Sequence, residues 1–136
     1  MLTRAETKVL FGGANSISIA SGAQNTSDTI TLDATCIKAS ITIKADNSAA
    51  PAPGDTINVY ILQSSGDPDG AAVADEFDSA DTKHSYLLAV IDTSVTNPGV
   101  TTVSYPAVPQ AGKLYADNNG AASMTYSAVI EELRSA

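Results

Sequence analysis

The side chains best suited to chemistry are carboxylates crowded between positions 64 and 83 of this 136-residue sequence. They are Asp67, Asp69, Asp75, Glu76, Asp78 and Asp81. Asp67-Pro68-Asp69-Gly70 begins like a calcium loop, because closely spaced carboxylate oxygens suit Ca²⁺. The further ligand and the distal Glu of an EF-hand loop are missing at the required spacing. We therefore predict no metal site and no cofactor; Asp67 and Asp69 would be the ligands if calcium were bound.

Catalysis has no candidate residues in the sequence. A Ser-His-Asp arrangement needs a histidine that takes the proton from the nucleophile, and the one histidine, His84, lies outside any nucleophile motif. One histidine and one cysteine, Cys36, cannot form a zinc site. A glycosidase places two acids across a cleft, whereas here six acids crowd into one stretch. We predict that the protein is not an enzyme and has no catalytic residue.

The acidic stretch is held between the arms of one long predicted hairpin. Residues 55–63 and 84–92 are rich in β-branched, aliphatic and aromatic side chains, as strands are. A connection of about 20 residues is unusual in a compact domain, and such loops are functional or mobile. One helical turn is conceivable at residues 71–77.

Other segments also have the two-residue period of strands. In residues 36–44, Ile37, Ala39, Ile41 and Ile43 share one face of a predicted strand. Further strands are predicted at residues 5–11, 17–19, 29–32, 100–105, 113–116 and 123–133. The sequence predicts an all-β fold, namely an antiparallel β-sandwich of about eight or nine strands. A jelly roll is one arrangement of such a sandwich that is compatible with this pattern. We expect a single domain, 1–136, with residues 1–11 as an N-terminal arm or edge strand.

Charge and composition exclude several partners. The net charge is −8, and residues 51–92 alone contribute −7. Nucleic-acid binding requires a basic stripe, which is absent, and no apolar run is long enough to span a membrane. The N-terminal residues contain no secretory signal. We expect a protein made in a cytoplasm that binds neither nucleic acid nor membrane.

Three segments resemble the small β-sandwich virion proteins of tailed bacteriophages. They are Ser27-Asp28-Thr29-Ile30-Thr31-Leu32, the long hairpin with its Asp-Pro-Asp-Gly loop, and the closing pattern from Ala111-Gly112-Lys113-Leu114-Tyr115 to Thr125-Tyr126-Ser127-Ala128-Val129-Ile130. The chain looks most like capsid cement or decoration proteins. The resemblance implies a structural protein of the virion that binds the major capsid protein on the outside of the shell. It also implies a homo-oligomer, with a trimer as the expected state, that bridges neighbouring capsid subunits.

Edge strands and loops would make the contacts in such an assembly. The interface candidates are Leu2, Arg4, Pro51, Pro53, Asp75, Glu76, Phe77, Asp78, Pro106 and Pro109. Two alternatives remain open. One is a carbohydrate-binding or adhesion domain, which predicts aromatic platforms although the chain has no Trp. The other is a component of a phage tail or fibre.

Overall fold

The structure, a computed structural model, describes residues 1–63, 86–106 and 111–135, and all regular secondary structure in this part is β-strand. The strands are β1 (Leu2–Lys8), β2 (Ile17–Ile19), β3 (Gln24–Thr26), β4 (Ile30–Thr31), β5 (Cys36–Asn47), β6 (Thr56–Gln63), β7 (Tyr86–Asp92), β8 (Gly99–Tyr105), β9 (Ala111–Asn118) and β10 (Met124–Ser135). The predicted all-β fold is therefore confirmed. The helical turn expected at residues 71–77 lies outside the described residues.

The strands form two antiparallel sheets with nested pairing. Sheet 1 has the order β1-β10-β5-β8, with β2 also on the edge of β10. Sheet 2 has the order β3-β9-β6-β7, with β4 also on the edge of β9. The first strand thus pairs with the last, and the pairing continues inward to β6 and β7. This is the pattern of one long hairpin rolled into two sheets, which is a jelly roll.

Two edge positions are each shared by two strands, β1 with β2 and β3 with β4. β1 and β2 share the edge of β10, separated by a turn at Gly12 and Gly13, both with positive φ. The Asp28 carboxylate accepts hydrogen bonds from both glycine N–H groups, at 2.8 and 2.9 Å. These contacts lower the pKa of Asp28. The described residues contain ten strands instead of the predicted eight or nine because β3 (Gln24–Thr26) was not predicted as a strand.

The core lies between the sheets and follows the predicted alternation. From β5, Ala39, Ile41 and Ile43 point inward and are buried. Ile37 was expected on the same face but is 56% exposed. The reason is a register shift between Leu133 and Arg134 on β10, which interrupts the pairing at this point. Such a bulge redirects one side chain of the strand.

Candidate interaction surfaces

The sandwich has two different ends, and the interface candidates divide between them. The register pairs Leu2 with Ser135 and Ala39 with Tyr105, so Leu2, Arg4 and Pro106 lie at one end, the terminus end. Pro51 and Pro53 lie in the β5–β6 connection at the opposite end, the network end. The structure thus does not unite the candidates in one surface. Asp67, Asp69, Asp75, Glu76, Phe77, Asp78, Pro109 and His84 lie outside the described residues.

The network end is closed by buried polar side chains. Asp55, 7% exposed, accepts hydrogen bonds from the Ala52 N–H at 2.8 Å and the Ala121 N–H at 3.1 Å. Asn47 Nδ2 lies 3.4 Å from Asp55 Oδ2 and 3.2 Å from Thr93 Oγ1. The backbone hydrogen bonds lower the pKa of Asp55, so the group stays ionised. Because donors from the chain surround it, this carboxylate joins loops and is unsuited to holding a cation.

A second buried carboxylate lies at the terminus end. Glu132 is 1% exposed, and its Oε2 accepts hydrogen bonds from Arg134 Nε at 3.0 Å and from the Asp33 N–H at 3.2 Å. Burial, followed by the charge of Glu132, raises the pKa of the Cys36 thiol. A thiol held protonated is a poor nucleophile. The sequence alternation from Met124 to Ile130 puts even-numbered residues on the inner face of β10, and extending this alternation by one step predicts the inward position of Glu132.

The outer face of sheet 1 is shallow and carries basic side chains. Four of the six basic residues in the described part of the chain lie on it, namely Arg4, Lys8, Lys38 and Lys44. Two shallow grooves cross this face, one beside Arg4 and Lys38 and the other beside Lys8 and Lys44. Arg4 Nη1 contacts Glu131 Oε1 at 3.1 Å, between side chains that are 77% and 44% exposed. Such an exposed pair contributes little stability.

The outer face of sheet 2 contains an aromatic pair that sequence reasoning missed. Tyr60 and Tyr115 are direct partners in the β6–β9 register, with ring centroids 6.1 Å apart and planes tilted by 48°. Leu87 is 49% exposed beside Tyr60 in the register. Gln24 Nε2 donates to Asp117 Oδ1 at 3.1 Å on the same face. The surface combines apolar rings with hydrogen-bonding groups. No local sequence pattern indicates the Tyr60–Tyr115 pair, because β6 and β9 are far apart in the chain.

Two kinds of site are absent from residues 1–63, 86–106 and 111–135. These residues contain no group of three or more His, Cys, Asp or Glu side chains arranged to hold a metal ion. They also contain no helix with the length and apolar character needed to cross a membrane.

No protein family matches the sequence, and no curated protein is similar to it in sequence. Comparison of folds does find similar structures. The PRD1 vertex protein P5 has a TM-score of 0.51 and 13% identity, over 98% of both chains. A Clostridium thermocellum endo-1,4-beta-D-xylanase 10B chain, with CBM22-1 and GH10 modules and bound xylohexaose, gives a TM-score of 0.50 and 12% identity.

The xylanase similarity covers 95% of this chain but only 24% of the xylanase chain. A family 29 carbohydrate-binding module complexed with cellulohexaose has a TM-score of 0.46 and 8% identity, over 97% of this chain and 80% of the module. At these identities the similarities show the β-sandwich fold alone. The same fold supports unrelated functions, so function must be argued from the surfaces.

Proposed function

We propose that this protein is a non-enzymatic structural component of a virion that binds the outer capsid surface and stabilises the shell by bridging neighbouring subunits. Its partners would be the major capsid protein and further copies of itself, with a trimer as the expected oligomer. It would be made in a host cytoplasm. The jelly roll supports this proposal, because a vertex protein matches it over 98% of both chains and jelly rolls recur in viral capsid proteins.

The observation that carries the proposal is the exposed apolar surface at the terminus end. Leu2 is 59% exposed on β1, and Ile37 is 56% exposed on β5. The two strands flank β10, whose Ser135 pairs with Leu2 and whose Arg134 pairs with Cys36. Both apolar side chains are available at this end for a contact with another protein.

Co-sedimentation with capsid shells assembled from the cognate major capsid protein tests this proposal. We expect the wild-type protein to pellet with the shells and to raise the temperature at which they break open. Ile37→Asp should weaken shell binding about tenfold, since a buried interface residue contributes this much when removed. The matched control is Val95→Asp, because Val95 is 87% exposed near the network end.

Wild-type protein that stays in the supernatant with intact shells would contradict the proposal. Equal loss of binding in both Asp variants would contradict the choice of surface. The same assay on purified tails separates the shell from a tail or fibre as the binding partner.

A second candidate function, glycan binding, is favoured by the Tyr60–Tyr115 pair on the outer face of sheet 2. Tyrosine rings offer an apolar face and a polar hydroxyl, which suits a sugar ring. Calorimetric titration with xylohexaose and cellulohexaose tests this candidate. We expect binding heat that is lost in Tyr60→Ala and Tyr115→Ala but retained in the control Val100→Ala on sheet 1. If neither glycan gives heat with the wild-type protein, the candidate is removed.

A further inference from the structure

Strand β1 is an edge strand of sheet 1: β10 is its partner on one side, and its other edge is open among the described residues. Six of its seven side chains are exposed, and Ala5 is half-buried. The strand therefore gains little from hydrophobic burial, although ordering its backbone costs conformational entropy. A strand with a long open edge is a template for another strand.

The backbone groups that face this open edge can be identified. The Val9 N–H donates to the Ala128 carbonyl at 3.0 Å, which continues the register that pairs Lys8 with Val129. Backbone groups alternate sides along an antiparallel strand. Thr3, Ala5 and Thr7 therefore direct their N–H and C=O groups toward β10. Leu2, Arg4, Glu6 and Lys8 direct theirs toward the open edge.

The sequence of β1 is complementary to itself when it is paired antiparallel about Ala5. Leu-Thr-Arg-Ala-Glu-Thr-Lys then places Arg4 opposite Glu6 of a second copy, and Glu6 opposite the second Arg4. Thr3 lies opposite Thr7, and Leu2 lies opposite Lys8. Opposite charges and threonine pairs at facing positions are favourable cross-strand contacts. In this register the open-edge residues face one another, so every open N–H and C=O group of Leu2, Arg4, Glu6 and Lys8 finds a partner.

We propose that β1 pairs with β1 of a second copy across a two-fold axis at Ala5, which joins the two copies of sheet 1 into one continuous eight-strand-wide sheet. The contact is isologous, as a two-fold interface requires. It deepens the self-association part of the proposed function, and it is tested on the isolated protein without shells. Within a trimer, the same pairing would connect copies in neighbouring trimers.

The proposed β1–β1 register is tested by two charge-reversal variants, measured separately and then mixed. Analytical ultracentrifugation of the wild-type protein should give a dimer or an even multiple of one chain. Arg4→Glu and Glu6→Arg should each weaken the association about tenfold or more, because both charge pairs become repulsive. An equal mixture of the two variants should restore it, since each glutamate then faces an arginine. Lys38→Glu and Asp46→Arg make equal charge changes on the outer face of β5 and should leave the association unchanged.

A proline variant tests the backbone pairing. The Glu6 N–H faces the open edge, so Glu6→Pro removes no hydrogen bond to β10 but blocks a second strand. We expect loss of association with an unchanged circular dichroism spectrum. A monomeric wild-type protein at all accessible concentrations would overturn the proposal. So would a mixture of Arg4→Glu and Glu6→Arg that stays dissociated, or a Glu6→Pro variant that folds and associates as the wild type does.

Discussion

Asp55 joins the β5–β6 and β9–β10 connections of the network end through its ionised carboxylate, which accepts hydrogen bonds from the Ala52 and Ala121 N–H groups. Backbone hydrogen bonds lower its pKa in the folded state. A group of this kind stabilises the fold fully above the pKa of the unfolded chain, about 3.9, and the stabilisation is lost as the pH falls through the folded-state pKa. We therefore expect Asp55→Asn to lower the melting temperature at neutral pH and to converge on the wild type in strong acid.

Thermal melts from about pH 7 down to about pH 2 measure this convergence. The control is Asp46→Asn, which changes an exposed carboxylate on β5 and should leave the melting temperature unchanged throughout. A deficit of Asp55→Asn that stays constant with pH would show that the charge of Asp55 does not stabilise the fold.

Tyr126 is a fully buried residue whose hydroxyl has no hydrogen-bond partner within the described part of the chain. Burial raises the pKa of this hydroxyl, which stays neutral. A buried unsatisfied polar group costs about 1–3 kcal/mol. Tyr126→Phe should therefore raise the free energy of unfolding by about 1 kcal/mol, as measured by urea denaturation. Tyr60→Phe, on the outer face of sheet 2, should change it by less than about 0.5 kcal/mol. A less stable Tyr126→Phe would mean that the hydroxyl is satisfied in solution.

Among the strands, those with a clear two-residue alternation could be predicted from sequence. The predicted strand at residues 36–44 lies within β5, and the predicted strand at residues 123–133 corresponds to β10. The bulge that exposes Ile37 could not be predicted, because it depends on the register against β10. The Tyr60–Tyr115 pair was missed for a related reason, since it requires the pairing of β6 with β9.

Strand β8 begins at a glycine that has no room for a side chain. A Cβ on Gly99 would lie 2.6 Å from Ile91 Cγ2 and 3.2 Å from the Asp92 carbonyl oxygen. Overpacking of this kind costs about 1–3 kcal/mol, so Gly99→Ala should lower the free energy of unfolding by that amount in urea denaturation. The adjacent Val100 is 58% exposed, and Val100→Ala should change stability by less than about 0.5 kcal/mol. Equal stability of Gly99→Ala and wild type would show that β7 moves aside easily.

In the whole molecule, the order in which the strands pair determines which residues lie at each end of the sandwich. Because the first strand pairs with the last, residues 2 and 135 meet at the terminus end. The last residue of β6, Gln63, and the start of β9, which pairs with it at Gly112, lie at this end too. The sequence identified Leu2, Arg4 and Pro106 as interface candidates without showing that they lie at the same end, because strand order cannot be read from alternation alone.

Replacing residues 64–83 by Asn-Gly separates the sandwich from its acidic connection. β6 and β7 pair antiparallel up to Ile61 and Tyr86, so continuing this register brings Gln63 opposite His84 and leaves a two-residue turn, for which Asn-Gly is well suited. The change removes six carboxylates and Lys83, which takes the net charge from −8 to −3. Since the described core lies between the sheets, we expect an unchanged circular dichroism spectrum and a cooperative thermal transition.

If Asp75, Glu76, Phe77 and Asp78 contact the capsid, as we predict, the shortened protein should pellet less with shells. Full shell binding by a folded shortened protein would remove these four residues from the interface and leave the terminus-end strands to form it.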